Sequence, residues 1–356
     1  MTTITNRVHS PIGVDVDAHC FKAFQLETVG GAQRSMAATV LPRAIPGDAP
    51  DPHDVDRLRG VLERQGFMGD HVVLAAPRSG LFTAVLELPP RNSGAPIEQL
   101  ARAELAQTHG CNPDEFEMAH WDVPAPTRAG NMTHIVATAC LHNIATQWMD
   151  VFESAGLVVA ALDVPACALA RACTSVVADS DGISAVLELG WRDTQITLVR
   201  LGTVVYQRQV APRGVHDVRE SLNQKLPITG NDDLIDYVLQ NASVDKSVDP
   251  DDQLPDHIRR EVRGVIVNHV AALADEVQAS LSFAAHRYSD TTIEGLLLTG
   301  AGAALPDVAE LMNESIDAPV RILTPTELVP CDEALRGRAD DSALVVSLGL
   351  ALHGMT

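Results

Sequence analysis

Long apolar runs, cysteine and basic residues are all scarce in this sequence of 356 residues. The best candidate for a membrane span, residues 156–173, is interrupted by Asp163, Pro165 and Arg171 and falls short of the roughly 20 apolar residues required. The N-terminal stretch MTTITNRVHSPIG lacks the apolar segment of a signal peptide. The six cysteines show no C-x-x-C spacing, which argues against a metal site and a secreted disulfide framework. We therefore expect a folded cytoplasmic protein with reduced thiols.

Positive charge is the third shortage. The chain has 26 basic and 47 acidic residues, a net charge of -21, and no cluster of Lys or Arg stands out. Binding to nucleic acid or to an anionic membrane needs concentrated positive charge, so neither is an expected partner. A basic peptide fits this charge better. The alternative is that the acidity only keeps the protein soluble, and composition alone favours that alternative.

The chain contains an internal repeat of three predicted strands separated by tight turns. The predicted strands are Pro11–Asp17, Cys20–Thr28 and Arg34–Pro42 in the first copy, and Ser184–Gly190, Thr194–Gly202 and Thr203–Ala211 in the second. A helix over 55–65, for which Asp54 is the expected N-cap, follows the first copy. Such self-similarity predicts two related domains.

Other segments have patterns of their own. Residues 72–158 alternate predicted strands with two helices and form an expected α+β unit. A helical stretch of about 215–292 follows the second repeat. Next comes a buried strand, the turn TGAGA (Thr299–Ala303) and a helix, an arrangement that directs backbone N–H groups at a ligand. An apolar helix ends the chain.

Four motifs and an insert, in this order, resemble the PilM family, the actin-like protein of type IV pilus assembly, which is related to the division protein FtsA. GVDVDAHCFK follows the family's pattern G-[IV]-D-[IV]-G-S-x-x-[IV]-K at Gly13, Asp15 and Lys22. LELPP and the helix and strand after it resemble the family's insert. LADEVQASLSFAAHR matches its E-[IV]-x-x-S-[LI]-x-F helix, LLLTGAGAALPDV its adenosine-side loop, and SLGLALHGM its final helix.

The resemblance implies an α/β protein with an actin-like fold, that is, two ribonuclease-H-like domains with a small α+β insert in the first. The first domain is expected at 1–71 and 159–181, with the insert at 72–158. The second domain is expected at 182–341, with a helical subdomain at about 215–292. The C-terminal helix, 342–356, is expected to pack back on the first domain.

The same resemblance implies a site for ATP and Mg²⁺ between two phosphate loops and an adenosine loop. It assigns nucleotide contacts to Asp15, Asp17, Lys22, Gly190, Thr194, Gly300, Ala301 and Gly302. If Mg-ATP binds, Asp15 and Glu188 would hold the metal, and Glu188 would be the catalytic candidate. Each assignment has a structural alternative: a surface lysine for Lys22, a strand-closing residue for Glu188, and a plain strand-to-helix connection for 300–302.

Departures from the family pattern in both phosphate loops predict a weakened nucleotide site. Asp17 and Ala18 stand where the family has glycine and serine, so a carboxylate lies where phosphate charge would bind. Like charges at about 4 Å cost roughly 1 kcal/mol in water and several near a protein surface. In the second loop, ELGWRDT, the longer Glu188 replaces an aspartate and bulky Trp191 follows Gly190 directly.

The leading hypothesis is a PilM-like cytoplasmic scaffold at the inner face of the inner membrane. It would bind the cytoplasmic tail of a PilN-like membrane protein in a groove between the first-domain core and the insert, and its nucleotide site would be degenerate. The rival is an active Mg-ATPase of the same fold, and a small-molecule kinase ranks last. Self-association, and the choice between a pilus and a secretion system, stay open.

Overall fold

The computed structural model describes residues 7–126, 130–177, 181–210, 214–226, 232–240 and 254–355. Its strands are β1 Arg7–His9, β2 Ile12–Val16, β3 Cys20–Val29, β4 Ala32–Pro42, β5 His71–Ala75, β6 Leu81–Leu88, β7 Phe116–Asp122, β8 Thr133–Leu141, β9 Val158–Asp163, β10 Ile183–Leu189, β11 Thr194–Arg200, β12 Thr203–Val210, β13 Ile293–Thr299 and β14 Val320–Ile322.

Its helices are α1 Pro52–Arg64, α2 Ile97–His109, α3 His142–Ser154, α4 Pro165–Ala172, α5 Thr174–Val177, α6 Val215–Lys225, α7 Asp232–Gln240, α8 Asp256–Arg287, α9 Val308–Ser315, α10 Pro325–Leu328, α11 Glu333–Ala339 and α12 Val345–Ala351. No helix in these ranges is both long and apolar enough to cross a membrane.

Two sheets share one topology, which confirms the internal repeat. The first sheet runs β4-β3-β2-β5-β9, with β1 beside the end of β3, and the second runs β12-β11-β10-β13-β14. In each sheet an antiparallel meander of three strands is followed by two parallel strands. β2 and β10 occupy the centres of their sheets and are buried along their whole length, as expected for strands covered on both faces.

A third, small sheet has the order β6-β8-β7. Apolar residues of α2 cover one face, where Ala101 and Leu105 pack against Ile135 and Ala137. Successive strand residues point to opposite faces, and Val136 on the other face belongs to the core of the second sheet. The small sheet therefore packs directly against the second sheet.

The backbone of helix α12 packs directly against the backbone of the first sheet. A Cβ added to Gly13 in β2 would lie 2.1 Å from the carbonyl oxygen of Ser347, and one added to Gly349 would lie 1.9 Å from that of Ala168 in α4. Since real side-chain carbons do not approach so closely, both positions require glycine. This contact fixes the C-terminal helix behind the strand that leads into the first loop.

The expected N-cap of α1 was wrong. Asp51 caps the helix by accepting a hydrogen bond from the N–H of His53. Asp54 is buried in the first turn and accepts hydrogen bonds from the N–H groups of Ala44 and Ile45. Asp54 therefore fastens the preceding loop to the helix.

Candidate functional site

The loop between β2 and β3 is closed by the carboxylate of Asp17. Its Oδ1 accepts hydrogen bonds from the N–H groups of His19 (2.7 Å) and Cys20 (2.8 Å), and its Oδ2 lies 2.9 Å from Nζ of Lys22. Burial opposes ionisation here, but Lys22 and these two N–H groups outweigh it and hold the pKa of Asp17 below its usual value. Such N–H groups are the donors that a phosphate takes in an anion-binding loop. Here the carboxylate of Asp17 accepts the hydrogen bonds of these N–H groups.

Lys22 is buried, with 2% of its side chain exposed. Its Nζ lies 2.9 Å from Oδ2 of Asp15 as well as from Asp17. Burial alone would lower the pKa of Lys22, but Asp15 and Asp17 outweigh it and raise that pKa. The surface-lysine alternative for Lys22 is therefore wrong, because β3 is a central strand whose two faces are both covered.

Glu188, at the end of β10, pairs with an arginine that the sequence analysis missed. Nη2 of Arg78 lies 2.6 Å from Oε1 of Glu188, and its Nη1 donates to Oε1 of Gln195 at 2.9 Å. Burial opposes the charge of Arg78, but Glu188 outweighs it and raises the arginine's pKa. The sequence did contain a signal for Arg78, because this residue closely follows β5. β5 runs parallel to β2, and the carboxyl ends of parallel strands lie at the same edge of a sheet, so Arg78 and the first loop are expected close together.

Trp191 in the second loop contacts the first loop across the cleft. Its indole stacks on the ring of His19, with centroids 4.0 Å apart and planes 9° from parallel. The guanidinium of Arg219, which belongs to α6, lies 5.3 Å from the centroid of the indole. The backbone N–H of His216 donates to the carbonyl of Trp191 at 2.8 Å. The contacts of His19 and Arg219 with the Trp191 ring were missed by the sequence analysis.

The adenosine-side loop packs against the protein itself. Gly300 has a φ of +87°, and a Cβ there would lie 2.5 Å from the carbonyl oxygen of Leu189. Ser342 also contacts the loop: its carbonyl accepts from Oγ1 of Thr299 and its Oγ donates to the carbonyl of Gly300. The positive φ and the contact with Leu189 require glycine at position 300.

A cavity of about 550 Å³ opens between the two loops, the small sheet and the second sheet. Its lining includes residues 16–18, 78–79, 81–83, 190–193 and 207–209, together with Lys22, His109, Trp148, Glu188 and Gln195. Of the predicted site residues, Asp17, Lys22, Glu188 and Gly190 line it. Asp15, Gly300, Ala301 and Gly302 do not, and neither does Thr194, the first residue of β11, which is buried opposite Leu189 of β10.

One group of possible metal ligands occurs in the described ranges, and it does not include the predicted pair Asp15 and Glu188. It consists of His216, Asp217 and Glu220 near the start of α6, whose ligand atoms lie within 4.8 Å of one another. These side chains are partly or fully exposed. Asp15 and Glu188 are instead paired with Lys22 and Arg78.

Two sheets of equal topology, with a cleft between the loops that follow their central strands, define an actin-like protein, and comparison with solved structures agrees. The chain is similar to a chain of a PilM-PilN type IV pilus biogenesis complex, at 19% identity and a TM-score of 0.76, covering 98% of this chain and 99% of that one. It is similar to the ethanolamine utilization protein EutJ from Carboxydothermus hydrogenoformans (16%, TM-score 0.55, coverage 99% and 93%). It is also similar to MreB 5 of Spiroplasma citri bound to AMPPNP (13%, TM-score 0.53, coverage 97% and 95%).

Comparison of sequences identifies the family to which the chain belongs. The profile of the family described as "Type IV pilus assembly protein PilM" matches residues 13–355, and the chain belongs to this family. The predicted fold class and family are both confirmed.

Proposed function

We propose that this chain is a scaffold of type IV pilus assembly that binds the cytoplasmic tail of a PilN-like inner-membrane protein and lacks ordinary ATP chemistry. It would lie in the cytoplasm, at the inner face of the inner membrane, and reach the membrane through its partner. Family membership and the similarity to a chain of a PilM-PilN complex support the pilus role.

The observation that carries the loss of ordinary ATP chemistry is the position of Asp17. Its carboxylate accepts hydrogen bonds from the N–H groups of His19 and Cys20. Like Asp15, it also forms an ion pair with the ammonium of Lys22. A bound phosphate would have to displace this carboxylate and then remain near it. Two like charges at about 4 Å cost several kcal/mol near a protein surface. The residues present therefore do not fit ATP as the family pattern would hold it.

Part of the cavity supports the proposed groove between the first-domain core and the 72–158 insert. Val16 and Trp148, which share the core of the first sheet, contribute to its wall on one side, and Phe82 of the small sheet contributes on the other. A peptide tail fits such a mixed apolar and polar cleft, and the net charge of -21 favours a basic tail.

Titration with synthetic tails tests the scaffold role. The probes are the N-terminal cytoplasmic segments of the inner-membrane proteins encoded beside this chain, measured by calorimetry. We expect one tail to bind at a 1:1 ratio, and Phe82→Ala, which alters the cavity, to weaken it at least tenfold. Val158→Ala, an exposed residue of β9, is the matched control. If none of the tails binds, the proposed function is wrong.

The rival function, a Mg-ATPase, has one observation in its favour. Asp17 and Glu188 line the same cavity, with Asp15 close behind Lys22, and carboxylates are ligands that Mg²⁺ prefers. Binding would require the pairs Lys22–Asp15 and Arg78–Glu188 to open. Calorimetry with ATP and Mg²⁺ decides: tight binding, with phosphate release that Glu188→Ala abolishes, would overturn the scaffold proposal.

A further inference from the structure

Helix α8 has one long exposed face. Its 32 residues bury one side against the second domain, through residues such as Val262 and Val277. On the other side Val267 is 37% exposed, and Ala271 and Asp275 are exposed as well. A helix that turns one side to water usually carries charged and polar residues there. The composition of the exposed face therefore indicates whether water or another surface covers it.

This face carries little charge. Residues 264–286 contain neither Lys nor Arg, and Asp275 and Glu276 are their only acidic residues, whereas 21% of the whole chain is charged. Glu276 is engaged with Arg208, 2.9 Å away. Charged residues are depleted at the core of protein interfaces. The face is therefore typical of a surface that another protein covers.

Gly264 has no packing reason within the described chain. It lies inside α8, where glycine lowers the stability of a helix. A Cβ added to it would meet no atom within 4 Å, so no neighbouring element of the described chain requires glycine here. Glycine does allow the backbone of a second helix to approach closely. Gly264 therefore points to a partner outside the single chain.

The exposed face has a stripe that complements itself. The stripe consists of Arg260, Gly264, Val267, Ala271 and Asp275, whose spacings of four, three, four and four residues keep them within an arc of about 80°. In an antiparallel pair of such helices with the symmetry axis beside Val267, Arg260 of each copy faces Asp275 of the other. Gly264 then faces Ala271, which places small residues where the helices approach. A two-fold axis repeats both contacts.

Both charged residues of the stripe are available for such a contact. Within the described ranges neither Arg260 nor Asp275 forms an ion pair, and Nε of Arg260 makes a long contact of 3.4 Å with the carbonyl of Asp256 in its own helix. Arg260 and Asp275 are about 22 Å apart along the helix axis, so the two ion pairs would close the two ends of the contact. A parallel pair would instead place like charges opposite each other, which is unfavourable.

We propose that this face of α8 is a homodimer interface, on which a second copy of the chain packs its own α8 in antiparallel orientation. The inference goes beyond the proposed function and does not depend on tail binding. The stripe with its side chains covers about 30 Å by about 10 Å, or about 300 Å² per copy. Stable complexes bury about 800 Å² per partner. The dimer should therefore be weak and form reversibly at high protein concentration.

Sedimentation equilibrium of the full chain tests the proposal, in about 0.15 M salt, which screens the repulsion between copies of net charge -21. We expect the wild type to move from monomer towards dimer as its concentration rises. Arg260→Asp alone, or Asp275→Arg alone, places like charges opposite each other at both ends and should weaken the dimer at least tenfold. An equal mixture of the two variants restores both ion pairs in a heterodimer and should associate within about threefold of the wild type. Glu104→Arg, at an exposed position of α2, is the control and should leave the dimer unchanged within about twofold.

Three outcomes would overturn the proposal. The first is a wild type that stays monomeric at every concentration. The second is a dimer that either single variant leaves intact, because another surface then joins the copies. The third is a mixture that fails to associate although each variant alone is monomeric, because Arg260 and Asp275 then do not face each other. None of the three affects the proposed binding of a tail.

Gly264→Leu provides a second measurement. It should keep or raise the melting temperature of the monomer, since it replaces a glycine inside a helix without meeting a neighbour. It should nevertheless weaken the dimer at least tenfold, because the larger side chain holds the two helices apart. Gly337→Leu in α11, where an added Cβ also meets nothing within 4 Å, is the matched control and should leave the dimer unchanged. A dimer that tolerates Gly264→Leu would contradict the close packing of the two helices and overturn the proposal.

Discussion

The ring of His19 lies flat against the indole of Trp191, 4.0 Å away, and this stack joins the first loop to the second across the cleft. The two residues precede β3 and β11, so each belongs to a different sheet. Stacked aromatic pairs contribute about 0.5–1.5 kcal/mol beyond the area they bury. The contact therefore stabilises the approach of the first loop to the second.

A double-mutant cycle measures this contact. We expect His19→Ala and Trp191→Ala to show a coupling of about 0.5–1.5 kcal/mol in the free energy of unfolding, since the two rings contact each other directly. Urea denaturation provides the measurement. His71, exposed at the start of β5, is the control. The change in the free energy of unfolding caused by His71→Ala should add to that of Trp191→Ala within about 0.5 kcal/mol. Additivity between His19 and Trp191 would contradict the finding.

Asp17→Gly restores the glycine of the family pattern and frees the N–H groups of His19 and Cys20 together with Lys22. We expect the variant to bind Mg-ATP in a calorimetric titration in which the wild type gives no signal, because phosphate can then take the freed donors. Asp48→Ala removes an acidic residue from the same cavity without freeing an N–H group. Equal binding of Mg-ATP by both variants would show that the loss of a negative charge from the cavity, and not the freed N–H groups, permits binding.

Much of the fold was predictable because its signals are local. The two meanders, their glycine turns and the apolar central strands recur in sequence, and the sheets repeat them. The group Asp15, Asp17 and Lys22 was also predictable, since β2 and β3 form a hairpin. The burial of Lys22 was not, because nothing within β3 reveals that neighbouring strands and helices cover both its faces.

Contacts between distant parts of the chain were beyond sequence reasoning. Arg78 and Glu188 are 110 positions apart, and the pair forms only because β5 and β10 end at the same cleft. Trp191 was identified as an intrusion after Gly190, yet its partner His19 depends on how the two domains face each other. Asp54 was misjudged because Asp51 and Asp54 both suit a helix start, and only the preceding loop distinguishes them.

Gly349→Ala should destabilise the protein strongly, by roughly 2–4 kcal/mol, because overpacking at a rigid backbone contact costs more than the helix propensity gained. The new methyl group would lie 1.9 Å from the carbonyl oxygen of Ala168. Gly337→Ala in α11 is the matched control, since nothing lies within 4 Å of its added carbon, and it should be neutral or stabilising by up to about 1 kcal/mol. Thermal unfolding of both variants compares them, and equal melting temperatures would contradict the packing of α12.

His134 should make the docking of the small sheet sensitive to acid. It shares the face that carries Val136, is 3% exposed, and has no hydrogen-bond partner for either ring nitrogen within the described ranges. Burial lowers its pKa, Arg287 on α8 lowers it further, and Glu87 on β6 opposes both. The unfolded chain, with a histidine pKa of about 6.5, then binds more protons than the folded protein.

Stability contributed by neutral His134 is therefore present above about pH 6.5 and is lost as the pH falls towards the lowered pKa. His134→Leu removes this titration while filling the same space, so its free energy of unfolding should fall less than that of the wild type between pH 7.5 and pH 5. His53→Leu alters an exposed histidine and should retain the wild-type pH dependence. Urea denaturation at each pH measures both. Parallel curves for the wild type and His134→Leu would mean that His134 titrates in the folded protein as it does in the unfolded chain.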